Sequence, residues 1–335
     1  MNKYKYFIGI DVSKKKLDVC VLKNKEVLLK KCIANTAKEL NALTKVLIKM
    51  DITLSNALIC CEHTGIYTSK VLSWGIQKGY NLWLEKAIQI KKSIGLQRGK
   101  NDMIDAYRIA MYAFRFQDVA VIYQQSSGQL MRLKDLMANR IRILKAKKQL
   151  EVPLKERATI LSKKEYQQIL KNNKDALQGI KKSLKQIEKN ILDVIKENAE
   201  LSKKVEYATS VDGVGLITAA FLIAATNEFK HVKSSKELAC YIGLSPFENK
   251  SGSSIRGRSR ISHHANKTLK ALVHMCAISS IKYSEEMRTY YERKVNDGKH
   301  KMAVINAVRN KIIKRVYACV TQERKYEKNY TRKVA

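Results

Sequence analysis

Four acidic side chains in the first third of the chain have the type and spacing needed to hold divalent metal ions. Asp11 and Glu62 each come directly after a run of apolar residues. Asp102 and Asp105 are three residues apart, so a helix would place both on one face. Mg²⁺ and Mn²⁺ prefer oxygen ligands, and phosphoryl transfer with two metal ions needs several carboxylates around them. The four acids therefore predict a Mg²⁺ or Mn²⁺ site that acts on phosphate esters.

Each of these acids also has an ordinary structural explanation. Asp11 could be a turn residue, and Glu62 could cap the helix that follows it. Asp102 and Asp105 could be acids of a first helical turn, where the helix dipole favours them. Singly, each acid fits such a role. Taken together, in a chain with only 30 acidic residues against 65 basic ones, the metal interpretation is favoured.

The elements that must position these acids follow an α/β order. Strand patterns cover residues 6–10, 17–22, 26–29, 57–61 and 81–84, and helical patterns cover 37–50 and 102–115. Antiparallel strands followed by strand–helix alternation are typical of an RNase H-like mixed sheet. We therefore predict an α/β, RNase H-like N-terminal domain over residues 1–122.

The middle of the chain, residues 123–207, is predicted to be a long helical region. It contains a single proline, Pro153, and a seam of mostly apolar residues at alternating three- and four-residue steps from Leu177 to Val205. Asn198 is the polar member of this seam. Such a seam predicts a coiled coil between chains, hence a homodimer or a homotetramer. A helical hairpin that packs on itself is the alternative.

Residues 208–335 are predicted to form a mostly α-helical C-terminal domain. Gly213 and Gly215 lie between two helical stretches, as in a helix-hairpin-helix element, where backbone N–H groups can bind a phosphate. A tight turn that needs a positive φ is the alternative for these glycines. Three arginines further along could bind phosphates or could belong to a solvated basic loop: Arg256, Arg258 and Arg260.

The bulk composition points to a polyanionic partner. The formal net charge of +35 favours nucleic acid, because basic residues that neutralise phosphates release condensed counterions. No apolar run approaches the roughly 18 residues that cross a membrane, so a membrane is not expected as a partner. The seven cysteines include no Cys-x-x-Cys pair, which argues against a zinc site and suits a cytoplasmic protein.

Five ordered motifs, spread over essentially the whole chain, resemble the DEDD insertion-sequence transposases. This family comprises RuvC-like recombinases guided by a bridge RNA, and it is related to the Piv-type DNA invertases. One departure is His263-His264-Ala265-Asn266, where such proteins more often have a basic residue and a glycine. The motifs that carry the resemblance are Gly9–Lys14, Glu62–Gly65, Lys100–Ala106, Val211–Gly215 and Tyr241–Pro246, the last followed by Ser251-Gly252 and Arg260–Ser262.

The resemblance implies roles for particular residues. It implies that the four acids bind Mg²⁺ in a RuvC-like domain and that a serine of the C-terminal domain attacks DNA. Ser251 is the residue that matches, and Ser253 and Ser254 are the other candidates. A covalent serine intermediate would conserve the energy of the phosphodiester bond for rejoining. The implied partners are donor DNA, target DNA and a structured noncoding bridge RNA in a bacterial or archaeal cell.

Three other functions are consistent with parts of the sequence. A RuvC-like nuclease would cut DNA junctions with the four acids and would form no covalent intermediate. An actin-like ATPase or sugar kinase is disfavoured because no later Asp-x-Gly phosphate loop follows the first motif. A non-catalytic RNA-binding scaffold would be preferred if changes at Asp11 and Ser251 left excision and insertion intact.

Overall fold

The computed structural model describes residues 3–94, 102–230, 232–251 and 255–328, and at residues 94, 102, 103, 247–251 and 255–260 it describes the backbone alone. The chain divides into two compact units, Met1–Gln125 and Ser126–Ala335. The three-part division at residues 122 and 207 stays a prediction. Among the described helices, none is long and apolar enough to cross a membrane.

In the described part of the first unit, five strands form one mixed sheet. The strand order is β3-β2-β1-β4-β5, with β1, β2 and β3 antiparallel and with β4 and β5 added in parallel to β1. This is the RNase H-like order, so the predicted fold of the N-terminal part is confirmed. The strands are β1 (Tyr6–Val12), β2 (Lys16–Lys23), β3 (Glu26–Ala34), β4 (Ala57–Glu62) and β5 (Asn81–Glu85).

Helices cover both faces of this sheet. They are α1 (Ala37–Lys49), α2 (Ser69–Gln77), α3 (Ala87–Ile94) and α4 (Asp102–Arg115), with short 3₁₀ turns at Gly65–Thr68 and Gln117–Val119. Because side chains alternate along a strand, Ile8 and Ile10 pack on the side of α1 and α2. Phe7 points to the opposite side, where Ala106 and Ala110 of α4 form the core. The acids at the strand ends are therefore held by a layer buried on both faces.

Helix α4 lies directly against β1 because residue 9 is a glycine. A Cβ atom built on Gly9 would lie 2.2 Å from the carbonyl oxygen of Ala106 and 2.3 Å from the backbone nitrogen of Ala110. No side chain fits in that space, so glycine allows the close approach of helix and strand. This contact sets the distance between the helix that carries Asp105 and the strand that carries Asp11.

The second unit is mostly helical, as predicted. Its described helices are α5 (Gly128–Arg157), α6 (Lys163–Lys196), α7 (Ala199–Thr209), α8 (Leu216–Ala225), α9 (Ser235–Ile242), α10 (Lys267–Tyr283), α11 (Glu285–Asn296) and α12 (Lys301–Thr321). A two-stranded antiparallel hairpin of β6 (Phe247–Ser251) and β7 (Ile255–Arg260) lies between α9 and α10. The sequence patterns do not predict this hairpin.

Helices α5 and α6 form an antiparallel hairpin within one chain. Ser162 starts α6 with a capping box that includes Glu165. Ion pairs join the two helices at Arg140–Glu188 (2.8 Å) and Arg132–Glu197 (2.7 Å). The alternative of a hairpin that packs on itself therefore describes this region, and pairing between chains stays a prediction. The apolar residues buried in the shared core are Leu130, Leu133, Met137, Ile187, Ile191, Val194 and Ile195.

The continuous seam predicted through Asn198 is wrong. Helix α6 ends at Lys196, and Asn198 has an extended backbone with a φ of −131°. Its side-chain oxygen accepts a hydrogen bond from the backbone N–H of Leu201 at 2.9 Å, so Asn198 is the N-cap of α7. The apolar spacing continues across the break, but an Asn that can satisfy a free N–H group favours a helix start over a helix interior.

The substitution Asn198→Ile distinguishes the N-cap role of this residue from the predicted role in a coiled-coil seam. We expect the substitution to lower the free energy of unfolding by about 1 kcal/mol, because a helix cap is lost. At a coiled-coil seam the same substitution would raise stability, since a polar residue there costs stability. Urea unfolding at a fixed protein concentration measures the difference. Asn198→Asp keeps a capping oxygen and should stay close to the parent protein.

Candidate active site

Asp11 and Glu62 lie at the same edge of the sheet. Ile10 and Cys61 are paired in the parallel register of β1 and β4, so the next residues, Asp11 and Glu62, follow side by side. Ile10 and Cys61 are fully buried, whereas the two acids are partly exposed. By the alternation of side chains, both acids belong to the face covered by α4. Two predicted ligands are thus neighbours at the carboxyl ends of adjacent strands.

Asp105, in the first turn of α4, is close enough to Glu62 to affect its ionisation. Burial is the main cause that raises the pKa of Glu62 above its usual value, and the charge of Asp105 raises it further. The ammonium group of Lys91 on α3 opposes this shift. Asp105 also forms an ion pair with Arg108 at 2.7 Å. The end of β4 and the first turn of α4 therefore bring together the carboxylates of Glu62 and Asp105, whose negative charges repel each other.

Asp102 is the first residue of α4, and its side chain is outside the description. Among the side chains that are described, no group of three or more His, Cys, Asp or Glu residues lies close enough to hold a metal ion. A single metal ion is thus not held by Asp11, Glu62 and Asp105 alone. Their oxygen-only chemistry fits Mg²⁺ or Mn²⁺, and the close pair Glu62–Asp105 would be stabilised by a cation.

Two further acids lie on this face and were not singled out from the sequence. Asp18 is paired with Asp11 across β1 and β2, is 3% exposed and has Lys16 at 3.3 Å. Glu85 ends β5 and is paired with Glu62. Its carboxylate accepts a hydrogen bond from the hydroxyl of Tyr112 at 3.2 Å. The position of Glu85 at the end of an apolar strand is the same signal that identified Glu62.

Ser251 is the last residue of β6 and is paired with Ile255 of β7. It therefore stands at the end of a strand, next to the residues that connect β6 to β7. Ser253 and Ser254 lie outside the described residues. The three arginines Arg256, Arg258 and Arg260 occupy alternate positions of β7, and only their backbone is described. The role of each of these residues stays a prediction.

Gly213 and Gly215 differ in their surroundings. Gly213 has a φ of +86°, and a Cβ built on it would lie 2.6 Å from the carbonyl oxygen of Cys276 and 2.8 Å from the nitrogen of Ser280. A tight turn packed on α10 therefore explains this glycine without a ligand. Gly215 is the N-cap of α8, and no atom lies within 4 Å of a Cβ built there. Phosphate binding at these glycines stays a prediction.

Comparison with known families supports the domain content predicted from the motifs. Residues 8–156 match the model of the DEDD transposases of the IS110 type, and residues 205–292 match the model described as "Transposase IS116/IS110/IS902 family". The chain therefore carries both domains of the IS110-family DEDD transposases. It is an enzyme that acts on DNA, of the class that includes transposases and DNA invertases.

The chain is similar to individual proteins over different shares of its length. The chain is 26% identical to the pilin gene-inverting protein of Moraxella bovis over 329 residues, which are 97% of this chain and 98% of that protein. It is 33% identical over 105 residues to a 43.6 kDa protein of insertion element IS110 from Streptomyces coelicolor, covering 31% of this chain and 26% of that protein. The solved structure of RuvC from T. thermophilus in complex with a Holliday junction is similar to 36% of this chain. The match covers 100% of the RuvC chain, with 15% sequence identity and a TM-score of 0.28.

Proposed function

We propose that the chain excises and inserts an insertion sequence and that Asp11, Glu62, Asp102 and Asp105 form its metal site. The observation that supports this most is the electrostatic coupling between Glu62 and Asp105, which the fold brings together from β4 and α4. Two carboxylates that repel each other are unfavourable, and a bound cation would relieve the part of this repulsion that Lys91 and Arg108 do not offset. Enzymes with DEDD domains of this class use divalent metal ions, and we propose Mg²⁺ or Mn²⁺ here.

In this proposal the residues of the chain position the scissile phosphate. A bound metal ion would supply charge neutralisation at the phosphate oxygens and polarise the phosphorus for attack. Asp11 and Glu62 are held by the sheet, and their strand ends fix two ligands relative to each other. Asp105 is held by α4, and the close contact of α4 with Gly9 sets the distance between Asp105 and the sheet. Lys91, whose ammonium group lowers the pKa of Glu62, would pair with a phosphate oxygen.

We propose Ser251 as the attacking residue. Its hydroxyl oxygen would form a bond to the phosphorus, the bond to the sugar oxygen would break, and that oxygen would take up a proton. The product is a phosphoserine ester, which a strand hydroxyl can attack in turn to restore a phosphodiester and free the serine. The support is the position of Ser251 within the match to the second transposase model and beside basic residues of β7.

A RuvC-like nuclease without a covalent intermediate is the second candidate. The observation that favours it is that all four acids lie on elements of the first unit, so water could serve as the attacking group there. In that case the second unit would bind DNA, and Ser251 would contact phosphate only. The two candidates differ in whether protein becomes covalently attached to DNA.

Ser251→Ala decides between these candidates. With labelled DNA and Mg²⁺, we expect the parent protein to give a covalent adduct on a denaturing gel, and Ser251→Ala to give none and to lose strand rejoining. Ser253→Ala and Ser254→Ala are the matched controls and should keep the adduct. Cleavage by Ser251→Ala at the parent rate would exclude the serine mechanism and support the nuclease.

We also propose donor DNA, target DNA and a structured bridge RNA as partners, bound by a homodimer or homotetramer. The support for an RNA partner besides DNA is the formal net charge of +35. An RNA transcribed from DNA beside the gene should bind in the presence of excess transfer RNA, and equal competition by transfer RNA would count against an RNA partner.

Mixing Asp11→Asn with Ser251→Ala protein tests whether subunits share a site, because only sharing restores activity in the mixture.

A further inference from the structure

Arg309 of α12 is a buried cation, and no acidic partner for it lies among the described residues. The residue is only 6% exposed. Its Nη2 atom lies 2.5 Å from Nδ1 of His274 on α10, and its buried Nε atom has no hydrogen-bond partner. No ion pair within the described part of the chain includes Arg309, whereas Arg140 and Arg315 of the same unit each pair with a glutamate.

This arrangement leaves a positive charge uncompensated. His274 can accept from Arg309 only as a neutral imidazole, and burial together with the charge of Arg309 lowers the pKa of His274. A buried charge with no counterion is strongly unfavourable, and buried polar groups are nearly always hydrogen-bonded. An uncompensated guanidinium of this kind is therefore suited to an anion that arrives from outside the chain.

The surroundings of Arg309 connect it to the segment that leads into β6. Asn306, one turn before Arg309, donates a hydrogen bond to the carbonyl oxygen of Leu244 at 3.0 Å. Lys270, one turn before His274, lies beside Gly243, its Cδ atom 3.9 Å from a Cβ built on that glycine. Gly243 is the C-cap of α9, and Leu244 follows it, three residues before β6 begins at Phe247. Lys270 and Asn306 thus contact the segment that leads into β6, and His274 and Arg309 follow them by one helical turn on α10 and α12.

We propose that Arg309, His274 and Lys270 form a site for one phosphate group of the DNA strand bound at the β6–β7 hairpin. This inference rests on the proposed function, because the phosphate is taken to be part of DNA. Nη1 of Arg309 is not among the buried unpaired atoms and can reach an oxyanion first. The planar guanidinium can then offer two parallel N–H donors to one phosphate. Lys270, one turn before His274 on α10, adds a second positive charge to the site.

The first test uses inorganic phosphate as the probe. At matched ionic strength, we expect phosphate to raise the thermal unfolding midpoint of the full chain relative to chloride. Arg309→Met should lose this shift and should unfold in chloride no earlier than the parent, because it removes an uncompensated buried charge. Arg315→Met, in which a paired arginine of the same helix is lost, should keep the shift. Arg309→Lys, which keeps the charge, is the second variant should Arg309→Met not fold.

The second test uses DNA and identifies the source of the phosphate. The slope of log binding constant against log salt should fall by about 0.9 in Arg309→Met, the value for one lost phosphate contact in duplex DNA. An unchanged slope, or a phosphate-induced shift that survives in Arg309→Met, would overturn the inference. Failure of the proposed function is distinguishable, because it would appear as a missing covalent adduct in the parent protein. Failure of this inference would leave the adduct of the parent protein in place.

Discussion

Asp105→Asn should reduce DNA cleavage by about a thousandfold or more while the protein stays folded. A carboxylate ligand that is lost weakens transition-state stabilisation by several kcal/mol, and roughly 4 kcal/mol corresponds to about a thousandfold in rate. The side chain is partly exposed, and its ion pair with Arg108 contributes at most about 1 kcal/mol to stability. Single-turnover cleavage of labelled DNA in Mg²⁺ measures the effect.

A second readout connects this loss to metal binding. Mg²⁺ at about 100 times its dissociation constant would stabilise the parent protein by about 2.7 kcal/mol. In Asp105→Asn that stabilisation should vanish, and the metal-free protein should unfold close to the parent midpoint. Asp118→Asn, at an exposed acid of the same unit, is the matched control and should change neither property. Full cleavage by Asp105→Asn would remove this residue from the metal site.

Gly9→Ala is expected to have the largest effect on stability. The added methyl group would lie 2.2 Å and 2.3 Å from backbone atoms of Ala106 and Ala110, and backbone cannot move aside as a flexible side chain can. Overpacking usually costs about 1–3 kcal/mol, and we expect about 3 kcal/mol or more here because a whole helix must shift. The unfolding midpoint of the first unit should fall by roughly 10 °C.

The same substitution should also impair catalysis in the protein that remains folded. A shift of α4 moves Asp105 relative to Glu62, and a misplacement of about 1 Å can cost about a hundredfold in rate. Gly179→Ala is the control, since Gly179 lies inside α6 with no atom within 4 Å of a built Cβ. That change should stabilise by about 0.5–1 kcal/mol, as expected for alanine in a helix. A neutral Gly9→Ala would mean that α4 is not held against β1.

The parts of the fold that sequence patterns predict are those with a strong hydrophobic period. The strands of the first unit can be predicted because their apolar residues alternate or run continuously into a buried layer, and α4 because its apolar residues recur at helical spacing. The β6–β7 hairpin was missed for the opposite reason: Phe247–Ser251 and Ile255–Arg260 are mostly polar and charged, and their pairing depends on backbone hydrogen bonds. Asn198 was misplaced because a helix cap can occur inside an uninterrupted apolar spacing.

In the candidate site, too, some residues can be predicted from the sequence pattern and others cannot. Asp11 and Glu62 could be predicted from their positions after apolar strands, and Glu85 could have been found in the same way. The contact between Arg309 and His274 could not be predicted, because it joins two residues 35 positions apart on different helices and follows from how the faces of those helices pack. Periodicity identifies the buried side of a helix, but it does not show which side chain of another helix lies opposite.

The order of the parts along the chain has a consequence for synthesis. The whole sheet and α4 are encoded before residue 116, whereas Ser251 follows the end of the first unit by 126 residues, by subtraction of the numbering. At about 5–20 residues per second, a ribosome needs roughly 6–25 s to cover that distance, which is ample time for a small domain to fold. The carboxylate-bearing half should therefore be folded on the ribosome, with its acids in place, before the nascent chain contains the serine.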